Sequence, residues 1–160
     1  MHTHRLYYDD AYLREFDARV VARQEIHGKP AVALDRTAFY PTGGGQPNDT
    51  GMLLDPSDKP YPVLDVVSDD ETVWHMLGEA PAADAVHGVI DWDRRFDHMQ
   101  QHTGQHILSQ AFIVAADAET VAFHLGAAVS TIDLNRADLD AAALARVEAA
   151  ANEILDRSLS

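Results

Sequence analysis

Up to about Asp93 the chain reads as short runs of alternating apolar and polar residues, and beyond Trp92 the spacing of apolar positions lengthens to that of a helix. The early runs predict strands over residues 19–24, 31–34, 52–54, 62–67, 72–76 and 86–91. Between them Gly, Pro and Asp cluster at 27–30, 43–47, 55–58 and 80–84, where they favour turns. Many short strands at this spacing predict a small barrel or sandwich. From residue 94 to 115 the stripe Met99, Thr103, Ile107 and Ala111, widened by Leu108 and Phe112, predicts an amphipathic helix. Two strands follow, over 121–125 and 128–134, with the turn at Gly126. Asn135 or Asp138 is expected to cap a second helix that buries Leu139, Leu144, Val147, Ala151 and Ile154 or Leu155.

The expected fold class is α+β, with a β-barrel domain over residues 1–92 and an α/β domain over 93–160. The second helix runs to the last residues with no Gly or Pro to end it. Two strands are too few to cover two helices, so the second domain is expected to be incomplete at its C-terminus.

Composition narrows the chemistry. The chain has 160 residues and is 46% hydrophobic, enough for one domain or two small ones. No apolar run is long enough to cross a bilayer, and the opening MHTHRLYYDD carries acids where a secretory leader needs basic and then apolar residues; the expectation is a cytoplasmic protein with no membrane partner. Cysteine is absent, so a metal site within these residues must use His, Asp or Glu. A net charge of −14 weighs against broad, salt-driven binding of nucleic acid. Adjacent Arg94 and Arg95 still allow a small basic patch.

Two segments carry candidate chemistry. His98, His102 and His106 recur every fourth residue on the first predicted helix, along one stripe. His102 and His106 are the better pair for a metal, because Thr103, Gly104 and Gln105 between them are small or polar and His98 lies too far from His106. The same spacing also fits a solvated helical face. A zinc protease would need Glu directly after the first histidine, and Thr103 stands there. The second segment is 37–47, in which Gly43, Gly44 and Gly45 would let backbone amides approach a ligand. It lacks the Gly-Lys-Ser/Thr ending of a P-loop, and a tight barrel turn accounts for it equally well. Gln46 adds a donor and an acceptor beside the glycines. His124 sits on an alternating strand, facing either a cleft or water. His2, His4, His27, His75 and His87 stand in terminal or turn settings and are assigned no role.

These residues resemble, in order, the AlaX and alanyl-tRNA synthetase editing family. Thr37-Ala38-Phe39-Tyr40-Pro41-Thr42-Gly43-Gly44-Gly45-Gln46-Pro47, followed by Asp49 and Gly51, is similar to its glycine-rich signature. Trp92-Asp93-Arg94-Arg95-Phe96-Asp97-His98-Met99 leads into His102-Thr103-Gly104-Gln105-His106-Ile107-Leu108, which resembles the family's HxxxH metal helix. Phe123-His124-Leu125-Gly126 and Ser130-Thr131-Ile132-Asp133-Leu134 resemble the strand pair that follows.

The resemblance implies a glycine-rich β-barrel packed on the editing domain shared with threonyl-tRNA synthetase. It implies a zinc site with His102 and His106 as half of its ligands, the other half being a CxxxH segment that these residues do not contain. It implies hydrolysis of serine or glycine from the 3′ end of tRNA for alanine, with His102, His106 and Gln46 catalytic. By the same resemblance Thr37 reads the serine hydroxyl, and Gly43, Gly44, Gly45 and His124 line the substrate site. Two other readings stand beside it: a metal-free module that binds RNA or an amino acid, and a zinc hydrolase of small aminoacyl esters.

Overall fold

The computed structural model describes residues 2–126 and 129–158. The chain divides into two compact units, Met1–Phe96 and Asp97–Ser160.

The first unit is a closed six-stranded barrel. Its strands are β2 (Glu15–Ile26), β3 (Lys29–Leu34), β5 (Gly51–Leu54), β6 (Pro60–Asp69), β7 (Thr72–Leu77) and β8 (Ala85–Ile90). They close in the order β2-β3-β7-β6-β5-β8, every neighbouring pair antiparallel. Two short strands, β1 (His4–Arg5) and β4 (Arg36–Thr37), pair in parallel beside it. Alternation explains β2: Phe16, Ala18 and Val20 are buried while the residues between them face outward. β7 is buried at all six positions because both its faces are covered. Val73 and Leu77 enter the barrel core with Phe39, Leu34, Leu53 and Val66, whereas Trp74 and Met76 pack with Ala31 and Ala33 in a second cluster. The turn between β2 and β3 has positive φ at both His27 and Gly28, 50° and 76°, the geometry whose twist matches antiparallel strands.

The second unit holds most of helix α1 (Trp92–Ala116), the antiparallel pair β9 (Thr120–His124) and β10 (Thr131–Leu134), and helix α2 (Ala141–Ser158). Its core is Ala111, Phe112, Ala118 and Val147, with Leu108, Ile132, Leu134 and Leu139 packed against them. Together the barrel, the strand pair and the two helices make a mixed α+β fold.

Four expectations need correction. Neither Asn135 nor Asp138 caps α2. Asn135 Oδ1 accepts from Glu119 N, and Asp138 pairs with Arg136, so Asp140 takes the cap by accepting from Ala143 N at 2.7 Å. The buried face of α2 holds Ala143 and Val147, and Leu144, expected there, is exposed at 48%. His75 lies inside β7 and His87 inside β8, not in turns. The strand expected from residue 128 begins at Thr131 in β10, and Ala128 lies outside the described residues. Among the described residues, no helix is long and apolar enough to cross a membrane.

Candidate functional site

Segment 37–49 carries the candidate residues of the first unit. Its centre is a two-residue turn in which Gly43 and Gln46 exchange both backbone hydrogen bonds, at 3.1 and 3.0 Å. Gly44 and Gly45 adopt φ of 59° and 78°, which a side chain would resist. Gly43 needs no such freedom, and a Cβ on Gly43 or Gly44 would meet nothing within 4 Å. The exposed turn therefore stands clear of the barrel, and the bareness of Gly43 serves no packing need of the fold. Gln46 is half-buried at its end. Thr42 N donates to Val66 O at 2.9 Å, fixing the turn to β6.

The two ends of this segment are locked together. Tyr40 N donates to Asp49 Oδ2, and Asp49 N donates to Tyr40 O at 3.0 Å. Arg95 grips Asp49 through Nε and Nη2, donates to Ala38 O and Ala11 O, and lies 4.6 Å over the Tyr40 ring. Both ions are buried at 2% exposure. Burying a charge pair is tolerated when every donor and acceptor is used, as these are.

Thr37 lies wholly buried inside the same unit. Its Oγ1 is 2.8 Å from His75 Nε2 and accepts from Phe39 N at 3.1 Å. His75 Nδ1 lies 3.2 Å from Val32 O, and complete burial lowers its pKa to about 4.

The second unit places the histidines of α1. His102 and His106 turn toward each other, Nε2 to Nε2 at 2.8 Å, as residues four apart on a helix can. With both rings neutral, one must donate and the other accept; with both nitrogens bare, two lone pairs would face one cation. His102 is held below the ordinary imidazole pKa by burial and then by the neighbouring His106. Phe123 of β9 meets the His102 ring edge-on, 5.7 Å between centroids, and fixes its orientation. Thr103, between the pair, spends its hydroxyl on Met99 O. His98 is buried, unlike His106, so the stripe is not uniform. His124 ends β9 opposite Thr131 and is exposed.

The donor set fits zinc in part. Two imidazole nitrogens converge, as a metal requires, but the described residues contain no group of three or more His, Cys, Asp or Glu able to hold an ion. Among the described residues His102 Nδ1 is also buried without a hydrogen-bond partner, where a metal-bound histidine ordinarily donates to a supporting acceptor.

The structure thus brings Thr37 to His75 and His102 to His106. Gly43, Gly44, Gly45 and Gln46 belong to the first unit, and His124 to the second. Sequence reasoning missed His75 and Phe123. The available signal for His75 was a histidine at an inward-alternating position between Val73 and Leu77.

A barrel bearing a bare glycine turn, followed by a helix with two convergent imidazoles, delimits the class of protein. The family model described as tRNA synthetases class II (A) matches residues 5–94, and the chain belongs to that family. Its curated relatives include the alanyl-tRNA editing protein AlaX-M of Methanosarcina acetivorans, 37% identical over 96% of this chain and 65% of the relative. AlaX-L of Pyrococcus horikoshii is 36% identical over 97% of this chain and 39% of its own length. The alanine–tRNA ligase of Pyrococcus furiosus is 43% identical over 69% of this chain and 12% of the ligase. The chain therefore spans between about two fifths and two thirds of the length of these editing proteins.

Proposed function

We propose that this chain forms the substrate-facing part of a hydrolase that removes serine or glycine wrongly attached to tRNA for alanine, acting in the cytoplasm. The observation that carries the reading is the convergence of His102 and His106 Nε2 on α1 in a chain similar throughout to alanyl-tRNA editing proteins. In the reaction the ester bond between the amino acid carbonyl and the ribose oxygen breaks. Water supplies the oxygen that joins the carbonyl carbon, and a proton passes to the departing ribose oxygen.

His102 and His106 would hold a zinc ion, with further ligands from outside the described residues. Zinc, when bound, lowers the pKa of a coordinated water or polarises the carbonyl. The chain's own contribution is placement. The exposed, side-chain-free backbone at Gly43, Gly44 and Gly45 lets the terminal adenosine come close, and Gln46 supplies both a donor and an acceptor to the aminoacyl group. Thr37 discriminates by pairing with a serine hydroxyl, and His124 is assigned to the substrate side of β9.

The test is deacylation of serine-, glycine- and alanine-charged tRNA by the whole protein, with and without a chelator. The expected result is loss of serine and glycine, retention of alanine, and arrest by the chelator that zinc reverses. Equal cleavage of all three would sink the editing assignment. Full activity after exhaustive metal removal would sink the metal role.

A second reading, a metal-free module that grips an aminoacylated RNA end, is favoured by the pairing of only two metal-binding side chains among the described residues. Tight binding of charged tRNA with no turnover, with or without zinc, would select it.

A further inference from the structure

His75 is a buried titratable group that the hydrolysis above does not use. It shares the inner face of β7 with Val73 and Leu77 and has no exposed surface. Its two ring nitrogens have different partners. A peptide carbonyl can only accept, so the 3.2 Å contact with Val32 O places the proton on Nδ1. Burial keeps the ring neutral, with a pKa lowered to about 4, so Nε2 is bare at physiological pH. Thr37 Oγ1, 2.8 Å away, must then donate to Nε2. Phe39 N donates to the same oxygen at 3.1 Å. The threonine proton is used, one of its lone pairs is used, and a single acceptor position is left.

A hydroxyl beside an imidazole backed by an acceptor is also the arrangement of an activated nucleophile. That reading fails because a base whose pKa is drawn down to about 4 takes up a proton poorly at neutral pH.

We infer that His75 is a positioning residue for specificity: by holding the threonine proton it makes Thr37 a fixed acceptor, which selects an amino acid whose side chain brings a hydroxyl proton. The inference rests on the proposed role of Thr37 in reading serine. No water competes for the remaining lone pair, because Thr37 is covered. A serine side chain has to part the neighbours of Thr37 to reach it, and on arrival gains a hydrogen bond that glycine and alanine cannot make. Without His75 the hydroxyl could swing and offer its own proton instead. Serine, able to donate or accept, would then lose its directed partner.

The tests use the whole protein and need no assumption about zinc. Nitrogen-15 shifts of His75 at pH 7 should report a proton on Nδ1 and a bare Nε2; the opposite tautomer overturns the inference without any variant. Next, kcat/KM is measured on serine-charged and glycine-charged tRNA for His75→Leu, His75→Gln and Thr37→Val. His75→Leu should lower the serine-to-glycine ratio by about tenfold, the worth of one directed hydrogen bond. His75→Gln, whose amide oxygen can still accept, should restore most of it. A merely structural histidine would depress both substrates together and leave the ratio unmoved, which refutes the proposal. If Thr37→Val also leaves the ratio unmoved, the reading of Thr37 itself has failed. If Thr37→Val lowers it and His75→Leu does not, only the role of His75 has failed.

Discussion

In the barrel, Thr37, Asp49, His75 and Arg95 are at most 2% exposed, and each makes its hydrogen bonds within its own unit. On α1, His106 is exposed, His102 is partly so, and the hydrogen bond found for the pair among the described residues runs between the two rings. The first set is completed by folding and holds the segment around it in place. The second pairs two imidazole nitrogens on a more exposed stretch of helix. Positioning in general needs preorganised neighbours, whereas chemistry needs groups with accessible lone pairs.

The sharpest way to break the comparison is to disturb the buried pair. Arg95→Met leaves the Asp49 carboxylate without its cation in a closed environment, and the expected cost is roughly 3–5 kcal/mol. Urea unfolding of the purified variant measures it. Changing His106 to Ala should cost stability little, because an exposed group has no burial to lose. If Arg95→Met proves as mild as His106→Ala, the contrast between buried and exposed polar groups is wrong.

His75 sharpens the same contrast through pH. Its unfolded pKa is about 6.5. In the barrel burial lowers it to about 4. Above pH 6.5 both states are neutral and the stability is fully present. As pH falls toward 4 the unfolded ring takes up a proton that the folded ring refuses, so stability drops by about 3 kcal/mol. Unfolding free energies compared at pH 7 and pH 4.5 should therefore fall further in the native sequence than in His75→Gln. Equal slopes would show that the ring is not held neutral.

How much of this could be read from the sequence follows from which forces act locally. The strands, α1 and the histidine pair were legible because period and spacing are local properties. The α2 cap was misplaced because Asn135, Asp138 and Asp140 are all competent, and a bond from Glu119, 16 residues away, together with a local one from Arg136, decided among them. His75 was missed for a similar reason: its partners, Thr37 and Val32, lie 38 and 43 residues away. The Asp49–Arg95 lock spans 46 residues, so its two halves could be named but not joined. Barrel closure creates these contacts, and nothing in the local pattern announces them.

The smallest expected effect separates the two kinds of glycine in the chain. Gly51 is structural: it has φ of 154°, and a Cβ there would lie 2.1 Å from Val89 O, so Gly51→Ala should cost about 1–3 kcal/mol or more. Gly43 has an ordinary φ and open space, so Gly43→Ala should change stability by no more than about 0.5 kcal/mol. A loss of deacylation in Gly43→Ala at unchanged stability would then come from the added methyl on the exposed face of the turn, where a substrate has to approach the backbone. Rate and unfolding are measured on the same preparation. If Gly43→Ala retains full activity, the bareness of that position has no catalytic purpose, and the turn belongs with the finished framework of the barrel.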